Sequence, residues 1–198
     1  MRATIIWSAL TIALVAPLIA AAESPLLAWR EPVYIAAGFA GIVCMELLLL
    51  QPLLAGRQLP YLSPAACRSL HRLVGLALIA AILVHVGGLW VTSPPDVVDA
   101  LLFTSPTPFS AWGVVAMWAA FATALLGIYR FRLNLRFRLW RFGHTGLAAI
   151  TIIGSVVHAL LIEGTMEIMT KTALCCLVLL ASVRALANMR VWEVRRRA

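Results

Sequence analysis

Six apolar runs dominate the chain, at residues 4–22, 33–54, 70–91, 111–129, 143–162 and 166–187. Each is about 19–23 residues long, the length of one helical crossing of a bilayer at a rise of about 1.5 Å per residue. Breakers separate them: Ser24-Pro25, then Gly56 to Pro64, then Pro94-Pro95 through Pro106 and Pro108. The pattern predicts an all-α fold, a six-helix transmembrane bundle forming a single domain over residues 1–198.

Composition removes the alternatives. The chain is 63% hydrophobic and 12% charged, against about 45–50% and about 25% in soluble domains. Too few charges are present to keep so much apolar surface in water, and the same surplus excludes disorder. Six spans use about 120 residues and leave connections too short for a soluble domain, which usually starts near 50 residues. A nucleotide- or flavin-binding domain is therefore expected on a separate chain.

The net charge is +8, and 15 of the 16 basic residues are arginine. In a soluble protein this would suggest nucleic acid. Here the arginines sit between apolar runs, so they mark topology, and no nucleic-acid partner is expected. Arg57, Arg68 and Arg72 flank the second connection, Arg130, Arg132, Arg136, Arg138 and Arg141 crowd the fourth, and Arg184, Arg190, Arg195, Arg196 and Arg197 close the chain. Acids dominate the alternate connections: Glu23 and Glu31, Asp96 and Asp99, Glu163 and Glu167. The positive-inside rule then places both termini in the cytoplasm of a multi-pass protein, with the bacterial inner membrane as the expected location. The first run, with Met1-Arg2 before it and Ala20-Ala21-Ala22 after it, also resembles a secretory signal. It is long for a signal core of about 7–15 residues, so a retained helix is favoured.

The four cysteines, Cys44, Cys67, Cys175 and Cys176, form no CxxC and no CxxCH. Three lie in apolar runs, where a thiol behaves as a small hydrophobe, and all four read as structural.

The chemistry lies in four histidines. His71 and His85 fall in the third run and His144 and His158 in the fifth, each pair 14 residues apart. Fourteen residues make nearly four helical turns, so the members of a pair share a face, about 21 Å apart along the axis. Both runs cross in the same direction. His71 and His144 therefore share one depth near the inner face, and His85 and His158 share another near the outer face. A b-type haem takes two axial ligands from opposite sides and lies within a helical bundle that shields it. Two stacked haems would form an electron path. A lone histidine in a span is often a polar interhelical contact or an intramembrane functional site, but four in two matched pairs favour haem iron. A zinc or iron ion fits less well, because two histidines per depth are too few for a tetrahedral site. No internal repeat stands out beyond this spacing.

Gly75, Gly87, Gly88, Gly143, Gly146 and Gly154 lie near the histidines. Small residues would let a flat macrocycle approach, although glycine is equally common at plain helix contacts. Arg68, Arg72 and Arg141 sit at the inner ends of the histidine helices, either as partners for the propionates of an inner haem or as topology markers.

These motifs, Ser69-Leu70-His71-Arg72-Leu73-Val74-Gly75 with His85, and Arg141-Phe142-Gly143-His144-Thr145-Gly146 with His158, resemble the ferric reductase-like transmembrane domain family. That family includes ferric reductases, the membrane domain of NADPH oxidases and bacterial relatives. The resemblance covers nearly the whole chain. It implies inner and outer b haems, with His71, His144, His85 and His158 as axial ligands and electrons moving outward. Ferric reductases and NADPH oxidases also carry a C-terminal FAD- and NADPH-binding region. No counterpart is seen here, and no GxGxxG occurs. NADPH oxidation by this chain alone is not expected, and a flavin would be supplied by a partner. The short bacterial branch includes a haem subunit that feeds a periplasmic methionine sulfoxide reductase. Its histidine complement differs, so its partner is not carried over.

Glu46 is the one acid well inside a run, and it could serve as a proton relay, a quinol contact or a structural hydrogen bond. The five arginines from Arg130 to Arg141 alternate with Phe131, Leu133, Leu135, Phe137 and Leu139. They suit lipid phosphates, an acidic flavoprotein or a flavin phosphate. Trp90, Trp112, Trp140 and Trp192 lie near run ends, as interfacial anchors do.

The leading reading is a bis-haem b cytochrome without catalytic residues of its own. It would take electrons from a cytoplasmic flavoprotein or membrane quinol and pass them to ferric iron, oxygen or a periplasmic oxidoreductase. The alternatives are a quinol-linked cytochrome b subunit of a larger complex and a non-redox metal-binding transporter.

Overall fold

The computed structural model describes residues 1–164 and 166–188. Among these residues seven α-helices follow in order: α1 (Arg2–Ala22), α2 (Pro32–Ala55), α3 (Pro64–Thr92), α4 (Pro94–Leu101), α5 (Pro108–Ile128), α6 (Phe137–Leu161) and α7 (Ile168–Asn188). A 3-10 turn spans Pro25–Leu27. Among the described residues there is no strand. Every helix but the short α4 is long and apolar enough to cross a membrane, six in all. The protein is a multi-pass integral membrane protein. Arg190, Trp192, Arg195, Arg196 and Arg197 lie outside the described residues.

Local chemistry sets the helix starts. Proline occupies the first turn of α2, α3, α4 and α5, where its missing N–H has no intrahelical partner to lose. The Ser63 hydroxyl accepts the Ala66 N–H at 3.1 Å and caps α3. Glu167 accepts the N–H groups of Met169 and Thr170 at 2.7 and 2.8 Å and caps α7.

Two helices outrun their apolar cores. α3 begins six residues before its run, which brings Cys67 into its first turn, where the thiol is buried. α6 begins at Phe137 rather than at residue 143, so Arg138 and Arg141 belong to a helix and not to a loop of alternating side chains. Both extensions carry arginine, Arg68 in one and Arg138 and Arg141 in the other, which interrupts the apolar run. The short α4 was not predicted either; Ser93 Oγ donates to the Asp96 carboxylate at 2.5 Å at its start.

α2–α3 and α5–α6 form two tightly packed antiparallel hairpins. α7 packs across α2 and more lightly on α6, and α1 lies on the outside against α2 and α7. The apolar core joins Met45, Leu48 and Leu49 of α2 to Leu174, Cys175 and Val178 of α7, with Leu78 of α3 and Val156 of α6. Within the hairpins glycine sets the approach. A Cβ on Gly88 would meet Ala37 Cβ at 2.8 Å, and one on Gly154 would meet the Trp112 carbonyl at 3.0 Å. α3 and α6, which carry all four histidines, do not pack on each other in this way.

Candidate functional site

Each histidine is addressed from the other helix of its own hairpin. His85 Nδ1 lies 2.7 Å from the carbonyl of Ala37 on α2, and His158 Nδ1 lies 2.8 Å from that of Phe109 on α5. His71 Nδ1 stands 3.3 Å from the carbonyl of Gln51, whose side-chain Nε2 in turn donates to the His71 carbonyl at 3.3 Å. A carbonyl can only accept, so Nδ1 carries the proton on these three rings and Nε2 keeps its lone pair. An Nδ1–H held by a backbone carbonyl is the usual support of a metal-binding imidazole. His144 departs from the pattern. The Thr123 carbonyl acts on it from α5, yet no bond of ordinary geometry reaches its buried Nδ1, which has no hydrogen-bond partner.

Two glycines make the closest approaches. A Cβ on Gly41 would lie 3.1 Å from both Nδ1 and Cε1 of His85, and one on Gly113 would lie 2.7 Å from Nδ1 of His158. Gly41 is four residues after Ala37, and Gly113 four after Phe109. In an α-helix the N–H of residue i bonds the carbonyl of residue i−4. Each glycine therefore bares the carbonyl that its own N–H uses, and the imidazole reaches that oxygen across the space a side chain would fill.

These supports form an internal repeat that the sequence reading missed. Ala37, Gly41 and Gln51 stand 72 residues before Phe109, Gly113 and Thr123, and His71 and His85 stand 73 before His144 and His158. The supporting carbonyls are themselves 14 residues apart on α2 and on α5. Comparing the chain with itself at that offset would have revealed the glycine pair.

The hairpins bring the histidines into two cross-pairs. The ring centres of His71 and His144 are 6.3 Å apart, and those of His85 and His158 are 6.4 Å apart. A direct N–H···N bond of ~3 Å would bring two ring centres to about 5 Å. Two imidazoles on opposite sides of one metal, each with a nitrogen about 2.0–2.1 Å from it and a ring centre ~1.1 Å further back, stand about 6.3 Å apart. The separation fits two ligands on one ion. Phe109 meets His158 edge-on at 5.8 Å, and Trp140 stacks on His144 at 5.3 Å.

Residues 37–155 match a family model described as ferric reductase like transmembrane component. The chain belongs to this family. The match runs from α2 into α6 and contains His71, His85 and His144, while His158 lies three residues beyond its end. No curated relative and no solved structure gives a significant match.

Within this ferric reductase-like domain, the other residues singled out above take varied places. Arg72 is exposed beside His71. Arg141, one turn before His144, lies over the Phe137 ring at 5.9 Å. The Arg130 guanidinium covers the aromatic neighbour of the His71–His144 pair, 4.4 Å from the Trp140 ring centre. Gly88 and Gly154 serve hairpin packing, and Gly75 leaves room for the Gln51 amide at 3.2 Å. A Cβ on Gly87 or Gly146 would meet nothing within 4 Å; each is two residues beyond a histidine, about 200° around the helix, and so faces away from it. Glu46 is buried, with Oε1 lacking a hydrogen-bond partner. All four cysteines are free thiols.

Proposed function

We propose that this chain is a bis-haem b membrane cytochrome that moves electrons across the bilayer. His71 with His144 would hold an inner haem and His85 with His158 an outer one. The observation that carries the reading is the pairing: four histidines from two helices meet as two couples, each about 6.3 Å between ring centres. Three Nδ1 atoms facing carbonyls, and α3 standing apart from α6, support it. When bound, haem supplies one-electron exchange at its iron. The chain's residues do the rest: carbonyls of α2 and α5 set the imidazole planes, Gly41 and Gly113 admit the rings, and the apolar helices exclude water. The two couples are about 21 Å apart along the helix axes by the rise of 14 residues.

The arginines at the inner ends of α3 and α6 support an orientation with that end in the cytoplasm, in a bacterial inner membrane. There a flavoprotein, bringing its own flavin, or a membrane quinol would deliver electrons. Ferric iron, oxygen or a periplasmic oxidoreductase would take them on the other side. A bare metal-ion transporter fits less well: among the described residues no three His, Cys, Asp or Glu side chains gather as ligands.

The test is the spectrum of the purified protein after haem-replete expression. The reading expects low-spin b-type bands and two haems per chain. His85→Ala and His158→Ala should each keep one haem, and His71→Ala and His144→Ala the other. A haem-free spectrum overturns the cytochrome reading.

A further inference from the structure

The two histidine couples are held differently, and the difference centres on one tryptophan. His85 and His158 each bond a carbonyl at 2.7–2.8 Å. At the other couple the His71 bond is 3.3 Å long, and the Thr123 carbonyl that acts on His144 makes no bond of ordinary geometry to its buried Nδ1. The firmer hold on His144 comes from a ring. The Trp140 and His144 planes lie 23° apart with centres at 5.3 Å. They are four residues apart on α6 and so share a face. Trp140 is fixed twice over: its indole N–H donates to the Leu126 carbonyl on α5 at 3.2 Å, and the Arg130 guanidinium covers its ring at 4.4 Å. At the other couple the equivalent position, four residues before His158, is Gly154, packed on Trp112 and Ala116.

We infer that Trp140, clamped by Arg130, is the positioning residue for His144 and makes the His71–His144 couple the less electron-donating of the two. This rests on the cytochrome reading. A stacked indole fixes the plane of an imidazole but accepts nothing from its Nδ1–H. A carbonyl that does accept makes the ring a more basic ligand and favours the oxidised iron. The guanidinium over Trp140 adds positive charge beside the same couple, which favours the reduced, less positive form. The inner site therefore takes the first electron, and the outer site, with two firm carbonyl bonds, fills second.

The test is a redox titration of the purified protein, followed by absorbance and by the low-spin EPR signals of the oxidised form. Two waves are expected. His85→Ala, which keeps only the inner couple, should retain the higher one. Trp140→Leu should shift the higher wave downward towards the lower one and alter the EPR signal of the inner site alone. Trp140→Phe, which keeps a stacked ring, should stay near wild type. Arg130→Gln, which leaves His144 itself untouched, should shift the same wave in the same direction and keeps the test open if Trp140→Leu fails to fold. Coincident waves, a lower wave retained by His85→Ala, or variants whose waves and EPR signals stay at wild type would overturn the inference while leaving the bis-haem reading intact. A protein without haem bands would overturn the reading itself.

Discussion

A methyl group at Gly113 would sit 2.7 Å from Nδ1 of His158, in the space through which that ring reaches the Phe109 carbonyl. The contact is closer than side chains tolerate, and the atom opposed is the one that makes the hydrogen bond.

Gly113→Ala should therefore push His158 off its carbonyl. Loss of such a support weakens metal binding by about 10–100-fold. Gly41→Ala, with its approach of 3.1 Å, should act in the same direction but less strongly. Gly127→Ala on α5, where a Cβ meets nothing within 4 Å, should leave the site unchanged. Haem content per chain, with EPR to identify the site, checks the ranking.

Gly154→Ala should loosen the α5–α6 hairpin without touching a histidine. Its Cβ would meet the Trp112 carbonyl and the Ala116 methyl, both at 3.0 Å, and backbone cannot move aside as a long side chain can. Overpacking of this kind costs about 1–3 kcal/mol. Thermal unfolding in detergent should show a lowered midpoint.

Glu46→Met should be neutral or stabilising. The carboxyl is buried and its Oε1 has no hydrogen-bond partner, so it carries a desolvation cost of about 1–3 kcal/mol that an apolar side chain of similar size avoids. Haem reduction by ubiquinol, measured in the same preparation, should be unchanged. A specific loss of quinol-driven reduction would instead favour the quinol-linked subunit.

Glu167, outside the membrane-spanning segment, should give α7 a pH-dependent start. The N–H groups of Met169 and Thr170 bond its carboxylate and hold its pKa below the ordinary 4.5. A lowered folded-state value means that the stabilisation is fully present above the unfolded pKa and is lost as pH falls through the lowered one. Hydrogen-exchange protection of these two amides should be constant above pH 4.5 and decline below it. Glu167→Gln should abolish that pH dependence.

The six spans were legible because their signal is local. Each needs only a run of apolar residues, and the runs at 33–54 and 111–129 end within three residues of α2 and α5. The starts of α3 and α6 were not, because Arg68, Arg138 and Arg141 interrupt the apolar runs there, and the start of α3 is set by the Ser63 cap. The histidine couples were legible because helical periodicity turns a spacing of 14 into a shared face. Gly41 and Gly113 are not legible in this way because they lie on α2 and α5, far in sequence from the rings they admit. By position along the chain Trp140 reads as an interfacial anchor, and only its contacts with His144, Leu126 and Arg130 give it a different place.

Residue order alone shows that the chain crosses a membrane six times, and that four histidines lie in two spans at equal spacing. Hydropathy and helical periodicity depend on neighbours along the chain, and those are written in residue order. Only the folded chain shows which carbonyl an imidazole meets, which glycine makes room for it, and that an indole stacks on His144. Those facts depend on the antiparallel register of α2 with α3 and of α5 with α6. Packing between helices, not the order of residues within one, sets that register.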